Sequence, residues 1–248
     1  MHMRYGRERG IDFSLIICDE EPLPAENPDF AIVRAMRPDI TKLLEDRNIR
    51  TFNNFHVSSI CNNKARTYEY LHKNGIPVIP WISAKATDVP PEITEYPKVI
   101  KPCSGHGGKN VRLIENDEDY KKAREAILPD EYVIQPLATE AGRDMRVYVI
   151  ANEPVAAVLR TAKDDFRSNF SLGGTVAKAV LTDEETALIH KVCTLFDFGL
   201  CGIDIMYHEG KPVINEIEDV VGARMLYKTH DIDILSLYLD YIIKTLNA

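Results

Sequence analysis

Two short segments near the C-terminus, residues 202–207 and 213–218, alternate between apolar and polar side chains. Successive side chains of a strand point to opposite faces, so this alternation predicts a β-hairpin with one acidic face and one apolar face. We expect residues 208–210 to form a three-residue loop with Gly210 in the left-handed conformation. The predicted acidic face carries Asp204, Glu216 and Glu218, and the predicted core face carries Ile203, Ile205, Val213 and Ile217.

Three carboxylates on one face of a hairpin are hard oxygen ligands, which suit Mg²⁺ or Mn²⁺ ions that carry the phosphates of a nucleotide. The alternative at this point is an exposed acidic strand face without a metal. The hairpin therefore predicts a candidate metal site and leaves that alternative open.

The remaining hydrophobic periodicity predicts a chain in which helices and strands are interspersed, an α/β protein. Thr182 is expected to cap one of the helices, and Asn116 or Asp117 another. The predicted helices cover residues 39–45, 60–74, 117–127, 182–196 and 232–246. The further strand candidates cover residues 13–18, 30–36, 50–54, 75–80, 96–101, 131–137, 147–150 and 155–160.

A glycine-rich segment at residues 102–111 separates two predicted strands. Such a loop lets backbone N–H groups approach a polyphosphate, and Lys101 at its start supplies a positive charge. The segment contains neither GxGxxG nor GxxxxGK[ST], and no helix pattern follows directly, so Rossmann and P-loop interpretations fail. A plain flexible hairpin is the alternative.

Three further segments carry candidate chemistry. Residues 135–137 end a strand in an apolar linker, which can offer backbone groups to an adenine edge. Asp144 and Arg146 share a strand face, either for binding an anion or as a structural ion pair. The loop at 163–174 combines cations, an amide and the pair Gly173-Gly174, although loops of this composition are usually just solvated.

Composition excludes several classes of protein. The 248 residues are 45% apolar, enough for a sizeable core, and the net charge of −8 argues against nucleic acid as a partner. Five cysteines without a CxxC pair favour reduced thiols. No apolar run approaches a membrane span of roughly 20 residues, and no secretory signal is recognisable. We therefore expect a cytoplasmic protein without membrane partners.

Taken in order, the candidate residues are Lys64, Ile100-Lys101 before the glycine loop, Gln135-Pro136-Leu137, Asp144-x-Arg146, Arg160, Asp165-Phe166-Arg167-Ser168-Asn169 with Gly173-Gly174, Asp204, and Glu216-x-Glu218. This order resembles that of ATP-grasp enzymes, and of the RimK-type glutamate ligases in particular. The resemblance runs from about residue 62 to the C-terminus, and its most specific part is residues 165–169 followed by the glycine pair.

This resemblance implies an ATP-grasp fold in which two α/β subdomains clasp ATP. It implies a shortened N-terminal α/β unit at residues 1–62 and an ATP-grasp domain at 63–248. The domain would consist of a small lid subdomain at about 76–136 and a metal- and ATP-binding subdomain at about 137–248. It also implies joining of a carboxylate to an amine on an amino acid, peptide or peptide-like substrate, through an acyl-phosphate, with release of ADP and phosphate.

Residue roles follow from the same resemblance. ATP would be bound by Lys64, Lys101, Gly105, Gly108, Gln135, Pro136, Leu137, Asp144, Arg167 and Asn169. Asp204, Glu216 and Glu218 would hold two Mg²⁺ ions, with Mn²⁺ as the alternative metal. The candidate catalytic residues are Arg160, Arg167 and Asn169. The candidate substrate residues are Arg146, Leu172, Gly173, Gly174 and Arg224.

The sequence departs from the family pattern at four places. Glu218 stands where the family usually has Asn, Asn110 stands where relatives often carry Gly, and residues 220–224 replace a small-residue loop. The N-terminal unit is short, which makes a dimer or tetramer plausible. Arg224 is either a ligand for a substrate carboxylate or part of a surface salt bridge. A small-molecule kinase and a nucleotide-binding module without turnover are the alternative functions.

Overall fold

The computed structural model describes residues 2–105, 107–108, 110–163, 165–168 and 173–247. Within these ranges the chain forms three sheets with helices packed on them. The helices are α1 His2–Arg7, α2 Pro38–Asp46, α3 Phe55–Cys61, α4 Lys64–Lys73, α5 Asp117–Glu125, α6 Asp183–Cys193, α7 Arg224–Thr229 and α8 Ile234–Leu246. The strands are β1 Phe30–Ile32, β2 Arg50–Phe52, β3 Ile82–Lys85, β4 Lys98–Pro102, β5 Arg112–Ile114, β6 Glu131–Pro136, β7 Arg143–Ile150, β8 Glu153–Thr161, β9 Thr175–Ala179, β10 Leu200–His208 and β11 Lys211–Glu218.

The N-terminal unit is a two-stranded parallel sheet, β1 beside β2, connected by α2. The prediction of a strand at 13–18 is wrong, because residues 13–17 form no regular secondary structure, although the ring of Phe13 packs against that of Phe30. The prediction of one helix over 60–74 is also wrong. The chain breaks into α3 and α4 at Asn62, and the side chain of Asn63 accepts a hydrogen bond as the N-cap of α4.

The second sheet has the order β3-β6-β4-β5 and carries α5 on one face. Asn116 caps α5 through its side chain, as expected. The expected strand at 75–80 is wrong, since only Val78 makes a bridge, to Ile214, and the strand β3 begins at Ile82. The prolines at 77 and 80 explain this, because proline cannot donate to a sheet ladder.

The third sheet is antiparallel, with the order β11-β10-β7-β8-β9. One face packs on α3, α4 and α6 through a large apolar cluster that includes Val147 and Ile203. The opposite face is divided along the strands. Toward Ile150 it is apolar and covered by α7 and α8, whereas toward Asp144 it is polar.

The acidic hairpin of β10 and β11 has the predicted acidic face but a different turn. The loop contains two residues, Glu209 and Gly210, which both have positive φ, so the expected three-residue loop is wrong. A β-bulge after Asp204 shifts the register and restores the pairing of Asp204 with Glu216.

The bulge changes one core assignment. Val213 pairs with Met206 and packs with Ile79 and Ala138, away from the main cluster, while Ile214 takes the expected place in the core. The bulge adds one residue to β11, so the alternation of faces along that strand shifts by one residue beyond it. Ile214 therefore faces the core in place of Val213.

Two boundaries near the C-terminus also differ from expectation. Arg224 begins helix α7, where a loop was expected. Thr182 caps α6 with a capping box to Glu185, as expected, but the helix ends at Cys193. The described part of the chain contains no helix long and apolar enough to cross a membrane. The division into lid and metal-binding subdomains stays a prediction.

Candidate active site

The polar end of the five-stranded sheet is built by register. Asp144 lies opposite Arg160, and Arg146 lies opposite Asp204, which in turn lies opposite Glu216. Directly opposite side chains in an antiparallel sheet are close enough to interact. Strand pairing therefore brings acids and arginines from four strands together on one face.

Two arginines bind these acids in bidentate geometry. Arg160 donates from Nε and Nη2 to the two carboxylate oxygens of Asp144, both at 2.5 Å, and from Nη2 to Asp204 at 2.5 Å. Arg146 donates to both oxygens of Asp204 at 2.7 Å and to both oxygens of Glu218, at 2.6 and 2.7 Å. All except Glu218 are buried, so both partners of each buried pair are needed to avoid an uncompensated charge.

The two arginines stabilise the charged form of Asp204. Burial alone would raise the pKa of Asp204, but the charges of Arg146 and Arg160 outweigh it and lower that pKa to about 2. Asp204 is therefore an anion at neutral pH. Gly202 allows Arg146 to lie flat beside β10, since a Cβ there would stand 2.6 Å from the Val221 side chain and 3.3 Å from Arg146 Cδ.

The three predicted metal ligands converge. Oxygen atoms of Asp204, Glu216 and Glu218 all lie within 4.8 Å of one another, the one such group of acids, cysteines and histidines found among the described residues. Three carboxylates fit a hard divalent cation by donor type. Their present partners are cations of the protein itself, since Arg146 bridges two of them and Lys64 Nζ lies 2.8 Å from Glu216 Oε1.

Lys64 is fixed by its position as the first residue of α4. Its backbone N–H donates to the Cys103 carbonyl, and its ammonium also contacts the Gly105 carbonyl at 3.3 Å. The start of the glycine loop is thus tied to the helix that presents the lysine. Gly105, Gly107 and Asn110 have positive φ, which agrees with the expectation that Asn110 can replace a glycine there.

Lys101 is a buried cation at the start of the glycine loop. Its Nζ donates to the amide oxygen of Asn215 at 2.9 Å, and burial together with the charge of Lys64 lowers the pKa of Lys101 to about 8. Tyr68 holds Asn215 in turn, because its hydroxyl donates to the Asn215 carbonyl at 2.8 Å. Gln135 is also buried and donates to the Ile79 carbonyl at 3.1 Å.

These groups line a cleft of about 810 Å³, open to solvent, between the four-stranded and five-stranded sheets. Pro136 and Leu137 contribute apolar lining, and Lys64 and Lys101 contribute positive charge. Arg167 reaches the cleft from the loop after β8, paired with Asp165 at 2.6 Å and donating to the Val111 carbonyl. The predicted nucleotide residues that line it are Lys64, Lys101, Gly105, Gly108, Gln135, Pro136, Leu137, Asp144 and Arg167.

A second cavity, also open to solvent, adjoins this cleft, and the two share Gly105, Gly107 and Glu216. Arg146, Arg160 and Arg224 line the second cavity. Gly173 and Gly174 line neither space. Asn169 and Leu172 lie outside the described residues, so their assigned roles stay predictions.

Residues 61–242 match the RimK-like ATP-grasp domain family. The chain belongs to this family. It is 30% identical to the probable alpha-L-glutamate ligase of Maridesulfovibrio salexigens over 190 residues. The matched region covers 73% of this chain and 63% of that protein. It is 29% identical over 268 residues to human beta-citrylglutamate synthase B, covering 94% of this chain and 69% of that protein. The glutamate–LysW ligase ArgX of Sulfurisphaera tokodaii is 26% identical over 254 residues, 95% of this chain and 90% of that protein.

Solved structures agree on the fold of this RimK-like chain. The RimK domain ATP-grasp protein of Sphaerobacter thermophilus superposes with a TM-score of 0.76 at 17% identity, over 97% of this chain and 93% of that one. The D-alanine–D-alanine ligase of Bacillus anthracis, complexed with ATP, gives a TM-score of 0.70 at 20% identity, over 88% of this chain and 79% of that one. The predicted ATP-grasp fold is therefore confirmed.

Sequence reasoning missed several residues of this RimK-like site. Asn215 positions Lys101, and its only sequence signal is a polar residue interrupting an apolar strand. Asp219, directly after the acidic pair, accepts from Asn53 Nδ2 at 2.6 Å and from Asn62 Nδ2 at 3.0 Å. Arg34 from the N-terminal unit lines the second cavity. The bonds to Asp219 and the position of Arg34 bring together distant parts of the chain, so no local sequence pattern predicts them.

Proposed function

We propose that the protein is an ATP-dependent ligase that joins a carboxylate to an amine on an amino acid, a peptide or a peptide-like substrate. The observation that carries this proposal is the convergence of Lys64, Lys101 and three acids on one cleft between two sheets. Membership of the RimK-like ATP-grasp family supports it, as do relatives whose names describe glutamate ligases and synthases.

In this proposal ATP lies in the cleft with its adenine toward residues 135–137 and its phosphates toward Lys64 and Lys101. Asp204, Glu216 and Glu218 would hold two Mg²⁺ ions, which neutralise phosphate charge and orient the terminal phosphate. Arg167 lines the same cleft and is assigned to the terminal phosphate. These residues act by positioning and by electrostatic stabilisation, so no protein nucleophile is required.

The proposed reaction has two steps. The substrate carboxylate attacks the terminal phosphorus of ATP, forming an acyl-phosphate and releasing ADP. The amine then attacks the acyl carbon and an amide bond forms, while phosphate leaves with the electrons of the acyl–oxygen bond and takes up the proton that the amine nitrogen loses. Arg160 is assigned to stabilising the charge that develops on the acyl-phosphate. Its buried guanidinium donates to Asp204, one of the proposed metal ligands, and it also lines the second cavity.

The test is phosphate release from Mg-ATP with a panel of amino acids and peptides, combined with mass spectrometry of the same mixtures. A ligase gives phosphate together with an adduct that is lighter by one water than its two components. A phosphorylated acceptor with no adduct would indicate a kinase instead. Nucleotide binding without phosphate release across the panel would indicate a binding module and would refute the proposal.

A matched pair of variants connects the activity to the acidic cluster. Glu216→Gln keeps the size of the side chain and removes its charge, so we expect turnover to fall by at least about 100-fold. Glu184→Gln makes the same change at an exposed position in the first turn of α6 and should leave turnover unchanged. Equal rates for the two variants would show that the cluster is not part of the site.

A further inference from the structure

The second cavity contains more positive charge than its own acids neutralise. Four guanidinium groups line it, from Arg34, Arg146, Arg160 and Arg224. Arg146 and Arg160 are committed to buried carboxylates, as described above. Arg34 and Arg224 form no salt bridge with any described carboxylate.

The acids of the same cavity already have partners. Glu216 is paired with Lys64, and Glu218 is paired with Arg146. Asp219 is held by two asparagine amides, and although the charge of Arg34 acts on it, Arg34 makes no hydrogen bond to it. Apart from the Nη2 of Arg34, which bonds a backbone carbonyl, the donors of Arg34 and Arg224 have no acceptor among the described residues and are available to a ligand.

The two arginines come from different parts of the fold, and one of them is anchored. Arg34 lies two residues after β1 in the N-terminal unit, and its Nη2 donates to the Val221 carbonyl at 2.5 Å. This bond spans 187 residues of sequence and holds the Arg34 side chain against the loop after β11. Arg224 follows shortly after in the same segment, as the first residue of α7.

Planar guanidinium forks with free donors match the geometry of a carboxylate. We propose that Arg34 and Arg224 determine specificity by binding a substrate carboxylate that does not take part in the reaction. The substrate class is then an acid that carries at least one carboxylate beyond the reacting groups. This inference rests on the proposed function for the identity of the cavity as the substrate site.

Two sources could supply such a carboxylate, a free dicarboxylic amino acid or the C-terminus of a peptide. The probes are L-glutamate against L-glutamine and isoglutamine for the first source, and dialanine against dialanine amide for the second. Each comparison replaces one carboxylate by an amide of nearly the same shape. Binding is measured by calorimetry with Mg-ADP present, and turnover by phosphate release with Mg-ATP.

We expect binding in at least one series, and at least one amide replacement in that series should abolish it. Arg34→Gln and Arg224→Gln should each raise the KM for the accepted acid roughly 10- to 100-fold with little change in kcat, because binding to a non-reacting group is lost. Arg34→Lys should recover part of the loss. Arg50→Gln is the matched control, since Arg50 is an exposed arginine of the same N-terminal unit that lines neither cavity.

Ligase activity and recognition of a carboxylate can each be refuted without the other. Absence of phosphate and adduct with every substrate would refute the ligase, while calorimetry would still decide whether a carboxylate is recognised. Binding that ignores all amide replacements, or no binding of any probe, would overturn the assignment of Arg34 and Arg224. Variants of these two residues that behave like Arg50→Gln would overturn it as well.

Discussion

The buried Lys101 predicts that nucleotide binding takes up a proton. Its Nζ faces the neutral Asn215 amide rather than a carboxylate, and burial is the largest cause of its low pKa, followed by the charge of Lys64. The charges of Glu216 and Asp144 oppose this shift without cancelling it. A phosphate in the cleft would supply the missing negative charge and favour the ammonium form.

The expected size follows from the pKa of about 8, compared with an ordinary lysine value of 10.5. The difference of about 2.5 corresponds to about 3 kcal/mol by which the folded protein disfavours the charged form. At pH 8 about half of the molecules carry a neutral Lys101, and at pH 9 about nine-tenths do. Nucleotide binding should therefore take up about half a proton at pH 8 and about 0.9 at pH 9. Its affinity should fall up to about tenfold between pH 8.5 and 9.5.

The contribution of Lys101 to folding stability changes with pH in the opposite direction to nucleotide affinity. Between pH 8 and 10.5 the unfolded chain binds more protons at this lysine than the folded chain does, so the free energy of unfolding rises with pH in that window. Lys101→Gln should remove this contribution. The effect is isolated by comparing the variant with wild type, since other lysines and tyrosines titrate in the same range.

Proton uptake is measured by titration calorimetry with Mg-ATP in buffers of different ionisation enthalpy at pH 7, 8 and 9. The matched control is Lys98→Gln, which changes a lysine of the same strand whose ammonium lies 3.9 Å from Glu95. Lys98→Gln should keep the wild-type pH dependence and Lys101→Gln should lose it. A wild-type uptake that stays near zero at pH 9 would refute the reasoning.

Three further changes test other parts of the structure. Asn53→Ala removes the buried partner of two backbone N–H groups and of Asp219, so we expect a loss of about 3 kcal/mol or more in urea unfolding, whereas Asn27→Ala at an exposed site should cost little. Thr182→Ala removes the capping box of α6 and should cost about 1 kcal/mol in the same assay. Glu218→Asn removes one negative charge from the acidic cluster and should raise the Mg²⁺ concentration needed for half-maximal nucleotide binding. An unchanged unfolding midpoint for either of the first two, or an unchanged Mg²⁺ requirement for the third, would contradict the corresponding argument.

The three acids of the hairpin were predicted to share a face for a partly wrong reason. The even-numbered acids were placed on one face by an odd-length loop, but the actual loop has two residues and would by itself pair odd positions with even ones. The bulge after Asp204 corrects the parity. An alternating pattern shows which residues share a face, whereas it does not show where an extra residue is absorbed.

The contacts of the N-terminal unit with the rest of the chain could not be predicted from the sequence. Asn53 and Asp219 are 166 residues apart, and Arg34 and Val221 are 187 residues apart. Each contact is satisfied only after the sheets have packed, and a single asparagine or arginine in a loop gives no periodic signal. The break between α3 and α4 was missed for a related reason, because two consecutive asparagines were treated as helix interior although Asn63 caps the second helix.

The charge balance of the site explains why nucleotide and metal should enter together. Four acids and four cations meet at the polar end of the five-stranded sheet, namely Asp144, Asp204, Glu216 and Glu218 with Lys64, Lys101, Arg146 and Arg160. Because these charges are equal in number, a triphosphate arriving alone would add negative charge beside acids that compete with it for the same cations. A divalent ion would remove this conflict by taking the carboxylates as ligands, and it would thereby free Lys64 from Glu216 for the phosphates. Nucleotide affinity should therefore depend strongly on Mg²⁺ in the wild type, and less so once Glu216 is changed to glutamine.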